Sequence, residues 1–315
     1  MQSPDTATVA CTVILATGGT IAGTAAAATD SLGYTAAQLS VEQVLAAVPA
    51  LGGLPIEAEQ VAQIDSKDMD FEVWRRLAHR VAHHLARPEV GGVVVTHGTD
   101  TLEETAYLLQ RVLAPAKPVV LTGAMRPATA LLADGPQNLL DAVMLARVPG
   151  AAGVCAVLAG AVYGAFDVRK QHTYRLDAFG GGDAGPIGHL ENGGLRRLRD
   201  WPQGVPVGIA VLDAPWPRVE IVGSHAGASG AVVDALLLTQ GVDGLIAAGT
   251  GNGTLHHALE AALLRAQAAG VAVRRCTRVA EGAVLPSGKA ALPISGAPTP
   301  LQARIDLMLE LMART

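Results

Sequence analysis

The sequence predicts an α/β protein with a larger N-terminal domain, built on a doubly wound and mainly parallel sheet, and a smaller C-terminal α/β domain. Three observations predict it. Short Val/Ile/Leu runs without strict polar alternation recur along the chain, the pattern of strands buried on both faces. Segments with apolar residues at helical spacing separate them, and alternation of strand and helix defines the class. Between Gly180 and Pro206 both patterns give way to Gly, Pro and Arg, which divides the series in two.

The first run, residues 9–15, has no Lys or Arg before it and reads as a strand rather than a signal peptide. That makes the cytoplasm the expected compartment; a leader removed beforehand would leave the same sequence. Ser40 and Gln43 have capping-box spacing, and Phe71, Trp74, Leu77, Val81 and Leu85 repeat as one helix face. A strand at 92–95 leads into a polar turn and a helix starting near Leu102, and strands at 118–122 and 153–158 follow. The stretch 191–205 reads as a linker on which Arg196, Arg197 and Arg199 are solvated, so the domains are expected at 1–190 and 206–315. The second series reads strand 205–212, helix 229–239, strand 243–248, helix 254–269 and strand 271–273, a small flavodoxin-like domain.

A chain of 315 residues, 50% of them hydrophobic, can bury a large core. The net charge of -5, without a Lys/Arg-rich run, gives no electrostatic reason to expect nucleic acid or an anionic membrane as partner. No apolar run approaches the roughly 20 residues of a spanning helix. Cys11, Cys155 and Cys276 are dispersed, which suggests neither a zinc site nor a disulfide framework and fits a reducing compartment. His79 and His83 stand four apart, but Arg80 occupies the place of the glutamate in HExxH, so His79, His83 and His84 are expected to face solvent and no metal is expected.

Chemistry concentrates where two apolar strands end. Thr20 lies in Ala-Thr-Gly-Gly-Thr-Ile-Ala-Gly (16–23), and Thr99 in Thr-His-Gly-Thr-Asp-Thr-Leu-Glu-Glu-Thr (96–105). The carboxyl ends of strands are where an open parallel sheet collects its ligands. A threonine hydroxyl is a weak nucleophile unless a base takes its proton and a rigid turn presents it, and Gly18 and Gly19 supply such a turn. The competing reading is a phosphate cradle, although the spacing matches neither phosphate-loop pattern. Small residues after Gly23 end at Tyr34, like a mobile lid carrying a phenol that can shuttle a proton, or else a tyrosine packed on the rim. In the second turn Asp100 or Thr101 can cap the following helix, with Glu103 and Glu104 at its positive end; alternatively Asp100 pairs with a substrate ammonium.

The two turns, with Leu-Thr-Gly-Ala-Met-Arg-Pro (121–127) and Ala-Asp-Gly-Pro-Gln-Asn-Leu (133–139), resemble bacterial L-asparaginases. The resemblance continues through Ile-Asp-Ser-Lys-Asp-Met (64–69), Phe-Asp-Val-Arg-Lys (166–170) and Gly-Thr-Gly-Asn-Gly-Thr-Leu (249–255), and so covers nearly the whole chain. It implies hydrolysis of L-asparagine to L-aspartate and ammonia through a threonine acyl-enzyme, without metal or cofactor, in a homotetramer built as a dimer of dimers. On this resemblance Thr20 is the nucleophile, assisted by Tyr34, and Thr99 with Lys170 serves proton transfer. Asp100 binds the substrate amino group and Ser66 its carboxylate, backbone near Thr99 and Ala124 holds the oxyanion, and Thr254 reaches the site from a partner subunit. Arg126 and Asp134 are assigned to holding loops together.

Two positions depart from the family pattern. Lys67 stands where many members have glutamine beside the substrate-binding serine, which bears on selection between asparagine and glutamine. The stretch Ala-Val-Leu-Pro-Ser-Gly-Lys (283–289) lacks the carboxylate that a partner subunit supplies in those relatives, leaving Glu281 as the nearest candidate. Broader glutaminase-asparaginase activity is therefore the alternative within the class. Amide release for a transfer-RNA complex is disfavoured by the acidic charge balance, and a noncatalytic amino-acid sensor is the alternative from another class.

Overall fold

The computed structural model describes residues 10–239, 241–288 and 291–314. Contacts divide the chain into two compact units, Met1–Ile209 and Ala210–Thr315.

Among the described residues of the first unit, an eight-stranded sheet has the order β10-β9-β6-β5-β4-β3-β1-β2. Its parallel part consists of β1 (Cys11–Gly18), β2 (Ile56–Ile64), β3 (Val90–Thr96), β4 (Val119–Thr122) and β5 (Val154–Leu158). β6 (Ala161–Gly164) turns antiparallel to β5; beyond it lies a two-residue ribbon of β7 (Arg169–Lys170) and β8 (Phe179–Gly180), outside the large sheet. β9 (Gly188–Glu191) and β10 (Gly194–Arg197) complete the edge.

Four helices serve this sheet: α1 (Val41–Ala46), α2 (Phe71–Leu85), α3 (Leu102–Leu113) and α4 (Gly135–Ala146). Side chains alternate across it. Ile14, Val94, Val120 and Cys155 form one core with Val41, Val44 and Leu139 from α1 and α4. The intervening Val13, Leu15, Val93, Val95 and Leu121, also buried, face the side where α2 and α3 pack. Burial on both faces is why these strands read as continuous apolar runs. The capping box at α1 forms as its sequence indicates: the Gln43 side chain accepts from the Ser40 N–H at 2.9 Å.

In the second unit, β11 (Val219–Gly223), β12 (Gly244–Gly249) and β13 (Ala272–Thr277) form a three-stranded parallel sheet among the described residues. α5 (Ala231–Leu238) and α6 (His257–Ala268) cover one face around Val233, Leu245, Ala247 and Leu263. α7 (Pro300–Met312) packs on the same three strands, with Leu307 so close to Gly244 that an added Cβ there would lie 2.8 Å from its Cδ2. Both units are layered α/β folds; the first is doubly wound, whereas the strands of the second follow one another in a single direction, β11-β12-β13.

The structure corrects four sequence expectations. No strand forms at 205–212: Ile209–Asp213 is a 3-10 turn, and the first strand of the second unit is β11. Pro206 interrupts that apolar run and Pro202, Pro215 and Pro217 flank it, and none of them can donate to a ladder. The stretch read as a linker instead begins with the turn and second strand of the β9–β10 hairpin, and that turn places Asn192 at φ 50° and Gly193 at φ 78°. Asn-Gly favours this left-handed pair of residues, and Arg196 binds Glu191 across the hairpin at 2.7 Å while Arg199 binds Asp167. His84 is buried rather than solvent-facing, 2.9 Å from Glu59. Finally, neither Asp100 nor Thr101 caps α3 with its side chain. Val9 and Lys289, at the ends of two stretches singled out in the sequence, lie outside the described residues.

Candidate active site

The parallel strand order reverses between β1 and β3, neighbours whose connections leave to opposite sides of the sheet. Such a switch point opens a crevice at the carboxyl ends of its two strands. The Thr20 turn follows β1 and the Thr99 turn follows β3, with Ala16 and Thr96 in register. Gly19, at φ 82°, lets the turns touch: a Cβ there would stand 2.4 Å from the Gly98 Cα. A Cβ on Gly98 would in turn stand 2.4 Å from the Ser66 Oγ, so glycine at both positions brings three hydroxyl-bearing turns together.

Thr20, Ser66 and Thr99 are all buried. The Thr20 Oγ1 lies 2.6 Å from the Tyr34 phenol. Tyr34 reaches it from the segment after Gly23, where Thr24 and Thr35 exchange backbone hydrogen bonds at 2.9 Å. Thr129 accepts from the Ala25 N–H at 2.8 Å and the Leu131 N–H donates to the Ala28 carbonyl at 3.1 Å, so the loop after β4 clasps that segment.

The Lys170 ammonium donates to the Thr99 Oγ1 at 2.8 Å and to Asp100 Oδ1 at 2.6 Å. Ser66 Oγ accepts the Asp100 N–H at 3.2 Å, and Thr101 Oγ1 donates to the Ser66 carbonyl at 2.8 Å. Asp100 and Thr101 are thus engaged in cross-turn contacts rather than helix capping. Ala124 is fully buried beyond β4. Asn138 donates to the Gly123 carbonyl at 2.9 Å, while Asp134 accepts the Met125 and Arg126 N–H groups at 2.9 and 3.0 Å. Asp134 therefore shapes the loop that carries Ala124.

His97, to which sequence reasoning attached no role, stands behind the Thr99 turn. Trp74 Nε1 donates to Thr105 Oγ1 at 2.8 Å, and Thr105 lies 2.9 Å from His97 Nε2. His97 Nδ1 lies 2.7 Å from the Gly98 carbonyl, which only accepts, so Nδ1 carries the proton and Nε2 accepts from Thr105. Full burial pushes this imidazole down to about 4, so it is neutral at ordinary pH.

Lys67 is exposed, and its ammonium binds Asp68 at 2.5 Å and approaches Asp65 at 3.7 Å. Thr254 and Glu281 belong to the second unit, and both are exposed. Thr254 exchanges backbone hydrogen bonds with Thr250 at 2.8 Å, and Asn252 binds both main-chain groups of Leu285. The Thr254 turn and the 283–288 stretch are therefore neighbours within that unit.

The family model described as "Asparaginase, N-terminal" matches residues 12–203, and that described as "Glutaminase/Asparaginase C-terminal domain" matches residues 218–315. The chain belongs to the asparaginase family. L-asparaginase 2 of Escherichia coli (strain K12) is 39% identical over 310 residues, covering 95% of this chain and 88% of that protein. The glutaminase-asparaginase of Pseudomonas fluorescens biotype A is 37% identical over 281 residues, covering 86% of this chain and 76% of its own length. Among solved asparaginases, the probable cytoplasmic L-asparaginase from Campylobacter jejuni superposes with a TM-score of 0.90 at 36% identity, covering 96% of this chain and 95% of that one.

Proposed function

We propose that the chain is an amidohydrolase that converts L-asparagine and water to L-aspartate and ammonia through an acyl-enzyme on Thr20. The observation that carries this reading is the pairing of two buried threonines at the switch point, each with its own proton-handling partner: Thr20 with Tyr34 and Thr99 with Lys170. Tyr34 relays the proton: it takes the Thr20 hydroxyl proton as the Thr20 Oγ1 attacks the side-chain amide carbon and passes its own phenol proton on to the departing nitrogen, so the C–N bond breaks and ammonia leaves. Backbone N–H groups around Thr99 and Ala124 hold the tetrahedral oxyanion. Water then attacks the ester while Thr99 and Lys170 relay its proton onward to the departing Thr20 Oγ1, which releases aspartate and restores the Thr20 hydroxyl.

Asp100 receives the substrate ammonium, which competes with Lys170 for its carboxylate, and Ser66 receives the α-carboxylate. Lys67 sits one residue from Ser66 and adds positive charge on that side. Thr254 and the exposed turn around it are contributed by a second copy of the chain in a homotetramer, and Glu281 is the candidate carboxylate beside them. The cytoplasm is the proposed compartment, a reading supported by three free cysteines, two of them buried.

Ammonia release is measured with asparagine, with glutamine and with neither. Thr20→Ala and, independently, Thr99→Ala are expected to lower turnover by about 10³-fold or more without changing the fold. Turnover at the wild-type level in Thr20→Ala overturns the mechanism. Calorimetric binding of asparagine with no ammonia release would favour a sensor, and comparable rates on both amides would favour the glutaminase-asparaginase reading, a name that one relative carries.

A further inference from the structure

Lys170 occupies β7, a two-residue strand outside the large sheet, where little main chain secures it. The Gln171 N–H donates to the Ala178 carbonyl of the facing chain at 2.7 Å. Strand alternation turns the preceding N–H the other way, and there Glu103 accepts the Lys170 N–H at 2.6 Å. Glu103 lies in the first turn of α3, four residues after Thr99 and three after Asp100, the two side chains that accept the Lys170 ammonium. A pentapeptide, 99–103, therefore grips Lys170 at its backbone and at the tip of its side chain.

Glu103 is half-buried, and desolvation pushes its carboxyl up from the ordinary range while the Lys170 N–H and the charges of Arg169 and Lys170 oppose that shift. A carboxylate kept there despite the cost of burial, at the positive end of a helix, has a specific partner. We propose that Glu103 is a positioning residue that holds the Lys170 backbone on the end of α3 and so sets the contact between the lysine ammonium and Thr99. This rests on the reading of Lys170 and Thr99 as a proton-transfer pair. A lysine side chain has four rotatable bonds, so its tip reaches one place reproducibly only if the backbone below it is fixed. Misplacement of a catalytic group by about 1 Å can cost about 10²-fold in rate.

The test uses Glu103→Gln, Glu103→Ala, Glu103→Asp and Lys170→Met in the full chain, each assayed for ammonia release from about pH 5 to about pH 9 and checked by thermal melting. Glu103→Gln keeps an oxygen acceptor and is expected within about 3-fold of wild type in kcat, with the same pH profile. Glu103→Ala loses the acceptor, and Glu103→Asp keeps the charge but stops one methylene short. Both are expected to lose about 30-fold or more in kcat with KM changed by less than about 3-fold. A folded Glu103→Ala within about 2-fold of wild type in kcat overturns the proposal, as does a Glu103→Gln as impaired as Glu103→Ala. If Glu103→Ala fails to fold, Glu103→Asp decides: full turnover overturns the proposal and the expected loss supports it. Lys170→Met separates the two readings, because full turnover there overturns the proton-transfer pair itself. Lost turnover in Lys170→Met beside an unaffected Glu103→Ala overturns positioning alone.

Discussion

His97 shows how burial and donor geometry set the chemistry of one residue. Its folded-state imidazole takes up a proton at about 4, against about 6.5 for the exposed group. Between these values the unfolded chain binds more protons than the folded one, so stability falls as pH drops from about 6.5 towards about 4, by about 3 kcal/mol at most. Melting temperature measured across that window is expected to fall in the wild type and to fall less in a His97→Gln variant; a flat wild-type profile contradicts this. His97 was visible in the sequence as part of a crowded turn, but its bond to Thr105, and the bond from Trp74 that holds Thr105, were not, because these residues lie 8 and 23 positions away from it. Lys67 presents the converse case: the departure was legible, while its pairing with Asp68 follows from the local 3-10 turn Ser66–Asp68.

At the scale of elements, the glycine turns decide whether a site forms at all. Gly19 combines φ 82° with a neighbour 2.4 Å from any added Cβ, and that neighbour is backbone, which cannot rotate away. Gly19→Ala therefore forces the Thr20 and Thr99 turns apart, adding about 1–3 kcal/mol of backbone strain to the clash. Turnover is expected to fall by about 10²-fold or more, with a lowered melting temperature; a fully active, equally stable variant would show that the turns have slack. Strands buried on both faces were legible because their apolar runs need no context. β2, at the sheet edge, alternates charged and apolar residues and was missed, as were the short β6 to β8 and α7. The β9–β10 hairpin was hidden for a different reason: its Asn-Gly signal lies within a glycine-rich stretch that also suits a linker.

For the whole molecule, each unit has its own hydrophobic core, around β1 to β5 in one and around β11 to β13 in the other. No helix among the described residues is long and apolar enough to cross a membrane. The proposed contribution of Thr254 from a second copy makes activity depend on assembly. Specific activity is expected to fall on dilution in step with loss of the oligomer measured by light scattering. A monomer with full turnover contradicts that proposal.

Local information in the sequence determined the strand ends, the glycine turns and the residue types at the chemistry, because each depends on neighbours a few positions away. Tertiary structure alone decided which groups meet. The reversal of strand order at β1 and β3 sets the Thr20 turn against the Thr99 turn, and the side ribbon brings Lys170 across 71 residues to Thr99. Nothing local encodes such a meeting; it follows from the burial of two sheet faces, which fixes register and leaves the strand ends in one place.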